Sequence, residues 1–251
     1  MTDPKQALGA ERLTMLRWIV RMGAVTDEAL ALRQQLTPAA ARARLGAARR
    51  AGLLARERPL AGQPALYVAS AAGLRASGLE RYGTCRVSPA GATHAIACAR
   101  VAAARERAYP DQRLMSEREL RLAEREAGAA VASAVLAGSG WGAQLHRPDL
   151  VLWPAPQQQP ADAAAGAPVA VEVELTVKAP RRLTQICRAW ARSRHVAGVL
   201  YLAAPEVMAP LARAIERAGA GERIALVAIE ALPGGAPPRR EPPANTVPGA
   251  A

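Results

Sequence analysis

The sequence predicts a two-part α+β protein: a helical N-terminal module closed by a β-hairpin, then an α/β domain on a mixed sheet. Three observations lead there. Capped amphipathic helices fill most of the first 80 residues, with one pair of strand-like runs among them. From Gln144 onward strand-like and helical runs alternate. The positive charge is concentrated in the first half. Of the 251 residues, 51% are apolar and 3% aromatic, with no Phe, so the core must be made of Leu, Val, Ile and Ala. The formal net charge is +12. Residues 1–110 hold 17 Lys+Arg against 7 Asp+Glu, and residues 111–251 hold 16 against 14. All basic residues except Lys5 and Lys178 are Arg.

The first helix is expected over Glu11–Met22, with Leu13, Leu16, Ile19 and Val20 on one side and Gly23 as its stop. Thr26 caps a second short helix, with Asp27 and Glu28 in its first turn and Val25 placed to pack on Leu30. Thr37-Pro38 is a cap followed by proline at the first helical position, opening a third helix that ends at Gly52. Leu53–Arg58 and Ala65–Ala69 are strand-like around a Pro/Gly turn, and Ser70 caps a short helix through Ser77. Three helices followed by a hairpin is the order of a winged helix-turn-helix, expected over 8–82. Turn-rich residues 83–91 are expected to link it to an α/β domain over 92–231. In that domain 92–108 and 115–138 should be helical, Gln144–Trp153 and Val169–Val177 strands, Pro180–Arg194 a helix, Ala197–Ala203 a strand, Val207–Ala218 a helix and Arg223–Glu230 the last strand. Pro154–Pro168 is expected to be a mobile insert and 232–251 a disordered tail.

A basic, folded module points to a polyanion, because each Arg–phosphate contact releases condensed counterions. On a helical wheel, Ala41, Leu45 and Ala48 form the core side of the third helix. Small residues and Arg50 occupy the opposite face, flanked by Arg42, Arg49 and Arg44. Together with Thr37 at the cap and Arg56 and Arg58 on the wing, these residues would meet double-stranded DNA, and Arg50 is the one aimed at bases. A membrane partner is excluded: the longest nearly uncharged stretch, Ala127–Gly138, is too short to span a bilayer, and the N-terminus lacks a signal-peptide pattern. Cys85, Cys98 and Cys187 share no metal-type spacing and predict reduced thiols in a cytoplasmic, nucleoid- or plasmid-associated protein. His94, His146 and His195 fall in different elements, without an HxxxH pattern, and are expected to be structural or solvated.

Chemistry is expected from the acids. In an extended strand Glu172, Glu174, Thr176 and Lys178 share one face, and Val171, Val173, Leu175 and Val177 the other. Buried carboxylates must be paired or liganded, and with Asp149 beside them they suggest a Mg²⁺ or Mn²⁺ site. The same pattern also fits a half-exposed strand whose polar face is wet and paired with Lys178, Arg181 or Arg182. Glu117 and Glu119 open a helix, where carboxylates commonly serve the helix dipole.

Pro148-Asp149 followed by Glu172-x-Glu174 resembles the PD-(D/E)xK restriction-endonuclease-like fold. Thr93-His-Ala-Ile, Ser116-Glu-Arg-Glu-Leu-Arg121, Arg147-Pro-Asp149, Glu172–Lys178 and Val196-Ala-Gly-Val-Leu-Tyr201 resemble stretches of the replication-relaxation family of bacterial mobile elements, over residues 8–231. The resemblance implies a winged helix before a nuclease-like domain and a role in plasmid replication, transfer or their regulation. It also implies Asp149 and Glu172 as metal ligands. Glu174 stands where that motif has its lysine, and Lys178 lies roughly 13 Å further along an extended strand. A non-catalytic, DNA-binding protein is therefore the first expectation, with homodimerisation or docking to replication or relaxase proteins. A divalent-metal-dependent endonuclease or nickase using Asp149, Glu172, Glu174 and Lys178 is one alternative, and a winged-helix transcriptional repressor the other.

Overall fold

The computed structural model describes residues 9–137, 144–154 and 166–231. The expected insert lies mostly, and the expected tail wholly, outside them. The chain is a mixed α/β protein with a five-stranded mixed sheet. Its first part runs α1 (Ala10–Met22), β1 (Ala24–Val25), α2 (Asp27–Gln34), α3 (Pro38–Arg50), β2 (Leu54–Glu57), β3 (Leu66–Ala69) and α4 (Ala71–Ser77). The caps are formed as the sequence specifies. The hydroxyls of Thr26, Thr37 and Ser70 accept from the backbone N–H of Ala29, Ala40 and Gly73, so each helix starts with one of its orphan donors satisfied. Strands β1, β3 and β2 make a three-stranded antiparallel sheet, with Ala24 opposite Val68 and Arg56 opposite Tyr67. Strand β1 was not legible as a strand, since two residues carry no periodicity. Leu16, Trp18, Ile19, Leu30, Leu45 and Leu54 form the core of this part.

The next helix begins earlier than expected. Ser88 caps α5 (Pro89–Ala108) by accepting from Gly91 N–H at 3.2 Å, which takes three residues from the turn-rich segment. Helix α5 packs on α2, and its Ala99 and Ala103 enter the first core. Its Val101 and Ala102 lie in a second cluster with Leu150, Val171, Val173 and Leu202 of the large sheet. Its alanines let one helix approach both.

The region expected to be one helix over 115–138 is instead β4 (Arg113–Ser116), α6 (Glu117–Ala127) and β5 (Ala134–Ala137). Ser116 and Glu119 form a reciprocal capping box that starts α6, and Gly128 at φ +66° ends it. Nor is Gln144–Trp153 one strand. Arg147-Pro148-Asp149 divides it into β6 (Gln144–His146), paired with β5, and β7 (Leu150–Trp153), because Pro148 has no N–H to give a ladder. The sheet order is β10-β9-β8-β7-β4, with β8 (Val169–Glu174) at its centre, β9 (Gly198–Ala203) and β10 (Ile224–Ala228). Strands β8, β9 and β10 are parallel; β7 and β4 are antiparallel neighbours. Helices α7 (Pro180–Arg192) and α8 (Pro205–Ala218) connect the parallel strands. Leu183, Trp190, Val207 and Leu211 cover one sheet face while α5 covers the other. Among the described residues no helix is long and apolar enough to cross a membrane.

Candidate functional site

Because β7 and β8 are antiparallel, the start of one meets the end of the other, with Leu150 opposite Val171. Asp149, just before β7, therefore lies beside Glu172-Val173-Glu174. One Asp149 carboxylate oxygen accepts from Val173 N–H at 2.7 Å. The other stands 2.8 Å from Nε2 of His94 on α5, and that nitrogen is 3.3 Å from the Cys98 thiol. The hydrogen bond to Asp149 raises the His94 pKa against the opposing effect of burial. Burial pushes the Cys98 thiol well up, and Asp149, Glu117 and Glu172 add to it. His94, Cys98 and Asp149 form the one group of three or more His, Cys, Asp or Glu among the described residues whose ligand atoms, within 4.8 Å of one another, are placed to hold a metal ion.

Strand alternation sends Glu172 to the other face, where it is 6% exposed. Its Oε1 accepts from Trp190 Nε1 at 3.1 Å and meets His146 Nε2 at 2.7 Å. Burial works to lower the His146 pKa, but the Glu172 charge and hydrogen bond outweigh it, and the pair holds a proton above the usual histidine range. Burial likewise raises Glu172, partly offset by His146. Glu174 is also buried and pairs with Lys178.

The sequence expectation of Lys178 far along an extended strand is corrected here. Strand β8 ends at Glu174, and the chain turns through Leu175-Thr176-Val177, so the ammonium comes back to Glu174. The three expected acids converge on one end of the β7–β8 pair but do not share a ligand: Asp149 pairs with His94, Glu172 with His146 and Trp190, and Glu174 with Lys178. Glu119 closes its own helix cap, and Glu117 pairs with Arg121. Sequence reasoning missed His94, Cys98, His146 and Trp190. One signal was available: His94 and Cys98 are four apart on a predicted helix and so share a face. The His146–Glu172 and Trp190–Glu172 contacts have no local signature.

No protein-family model, curated protein or solved structure matches the chain.

A second cluster of candidates lies on α3 and the hairpin. The wheel placed the core side correctly, since Ala41, Leu45 and Ala48 are fully buried. Arg49 and Arg50 at the end of α3 are exposed, and so are Arg56 and Arg58 at the hairpin. Arg50 lies back over Gly46, its guanidinium 3.5 Å from where a Cβ would stand there. Arg42 and Arg44 are engaged differently: Arg42 pairs with Asp27 at 2.9 Å, and Arg44 pairs with Glu11 at 3.3 Å and donates to Gln34. Thr37 is held by its cap.

Proposed function

We propose that this chain binds duplex DNA through a winged-helix module formed by residues 9–82, with α3 entering the major groove and the β2–β3 hairpin as the wing. The observation that carries the reading is the arginine set Arg49, Arg50, Arg56 and Arg58. All four are exposed, and among the described residues none is paired with an acid, whereas Arg42 and Arg44 are. Unneutralised guanidinium groups on a helix end and the adjoining hairpin suit phosphate and guanine recognition. The resemblance to the replication-relaxation family would place this binding in plasmid replication, transfer or their regulation, with the chain as a homodimer or beside replication or relaxase proteins.

The test is fluorescence anisotropy of a labelled random duplex with the full chain. If each of the four arginines neutralises one phosphate, replacing all four with Ala lowers the slope of log K against log salt by up to about 3.6. Arg42→Ala with Arg44→Ala, which first have to break contacts to Asp27 and Glu11, should change it less. Affinity and slope unchanged in the fourfold variant would overturn the proposal.

A second reading, a divalent-metal-dependent nickase, has one observation in its favour: Lys178 returns to Glu174, restoring a cation beside acids that meet at the β7–β8 end. Such a cation stabilises charge developing on a phosphate. Asp149 and Glu172 would be the ligands for Mg²⁺ or Mn²⁺. Mn²⁺-dependent nicking of supercoiled plasmid, lost in Asp149→Ala, would establish this reading, and no nicking would leave DNA binding alone.

A further inference from the structure

We propose that His94, Cys98 and Asp149 form a site for a borderline-soft transition ion of the Zn²⁺ class, with a fourth position open to solvent. This site is separate from DNA binding and shares only Asp149 with the Mg²⁺-type acids. The donor set carries the assignment. Mg²⁺ takes oxygen ligands in near-octahedral geometry, whereas one imidazole, one thiol and one carboxylate suit tetrahedral Zn²⁺ or Co²⁺. Three protein ligands plus one free position is the pattern of zinc sites that admit an exogenous ligand.

The dimensions fit. A tetrahedral ion with bonds of about 2.0–2.3 Å holds its ligand atoms about 3.3–3.8 Å apart. Here Nε2 of His94 is 3.3 Å from the Cys98 sulfur and 2.8 Å from the Asp149 oxygen, and all three atoms lie within 4.8 Å of one another. Entry of the ion requires Asp149 and His94 to part by about half an ångström. The scaffold is otherwise set. His94 and Cys98 are one turn apart on α5, which both cores hold in place. Asp149 keeps its second oxygen on Val173 N–H, a backbone contact that fixes the carboxylate's orientation as outer-shell partners do in metal sites. The His94 side chain is 44% exposed, which gives the ion a path in. Glu117 and Glu172 bring further negative charge close to Cys98, favourable for a cation. On binding, the thiol proton leaves to solvent and the sulfur coordinates as thiolate. The proton that His94 Nε2 donates to Asp149 also leaves that nitrogen, to solvent from the imidazolium or by shift to Nδ1 in the neutral ring, freeing Nε2 to coordinate.

Cobalt serves as the probe on the metal-free full chain. We expect one equivalent of Co²⁺ to produce tetrahedral d–d absorption and a thiolate-to-cobalt charge-transfer band, which Zn²⁺ bleaches and excess Mg²⁺ leaves intact. Cys98→Ser should lose the charge-transfer band and His94→Gln should weaken both absorptions, with melting curves confirming that the variants are folded. The double variant Cys85→Ser/Cys187→Ala, in which Cys98 is the last thiol, should keep the band. It decides the question if Cys98→Ser does not fold. Absence of the band in the wild-type chain, its survival in Cys98→Ser, its loss in a folded double variant, or its removal by Mg²⁺ would each overturn the proposal. None of these results depends on DNA, so failure here and failure of the DNA-binding reading are distinguishable.

Discussion

Replacing Glu172 with Gln removes the charge at the end of β8 while keeping its shape. Glu172 is 6% exposed, and its Oε1 serves both His146 at 2.7 Å and Trp190 at 3.1 Å. Hydrogen bonds to an ionised acceptor contribute about 1.5–3 kcal/mol each, roughly twice a neutral one. Converting carboxylate to amide therefore removes about half of two such bonds, about 1.5–3 kcal/mol, and the lower cost of burying an amide offsets part of that. The pH dependence distinguishes the charge from the shape. The folded Glu172–His146 pair keeps its proton to higher pH than free histidine at 6.5, so between these values the folded state binds more protons than the unfolded. The His146 contribution is complete below the unfolded value and is lost as pH rises through the folded one. With Gln at 172, burial dominates His146, opposed only by more distant charges such as Asp149, and disfavours its cation. Its contribution then reverses sign, and stability rises with pH near 6.5. The stability gap between wild type and variant should narrow as pH rises from below 6.5 to above it, with a limiting slope of about 1.4 kcal/mol per pH unit for one proton. Urea midpoints in metal-free buffer, compared at equal m-values, measure it. A gap that stays constant or widens with pH would refute the charge-pair account.

Three further outcomes follow from packing. Gly73→Ala places a methyl group 2.1 Å from the Leu53 carbonyl oxygen, so α4 must move off the hairpin; a loss of at least about 1–3 kcal/mol in urea unfolding is expected, and a neutral result would show that the approach is loose. Glu124 is buried and accepts from Arg147 at 2.8 Å and Val131 N–H at 3.1 Å. Glu124→Ala strands both donors, so a cost of about 3–5 kcal/mol and a thermal midpoint lower by roughly 10 °C are expected in calorimetry. Thr37→Ala removes the acceptor for Ala40 N–H and should cost about 1 kcal/mol, which circular dichroism melts check against Thr37→Ser as a neutral control.

Much of the first part was legible because its determinants are local. Thr26, Thr37 and Ser70 announce helix starts by chemistry within three residues, and Ala41, Leu45 and Ala48 identify their shared face by spacing alone. Legibility fell where local preference was overruled. The Ala-rich run after Ala127 has every helical propensity, yet Gly128 ends α6 and residues 134–137 pair with β6. Propensity differences of a few tenths of a kcal/mol per residue cannot compete with a ladder and a covered face.

The same division holds for the candidate site. The sequence by itself determined which chemistry-bearing residues exist and their spacing within each element, but it placed Pro148-Asp149 and Glu172-x-Glu174 inside longer strands, and only the structure puts them at strand ends. Their partners were decided by tertiary structure. His94 reaches Asp149 across 55 residues, His146 reaches Glu172 across 26, and Lys178 turns back to Glu174 because β8 stops there. These contacts depend on register, crossover and helix placement, which no local pattern encodes. The physical reason is that a buried carboxylate requires a partner, while the donor that supplies it is chosen by whichever elements the packed sheet brings alongside.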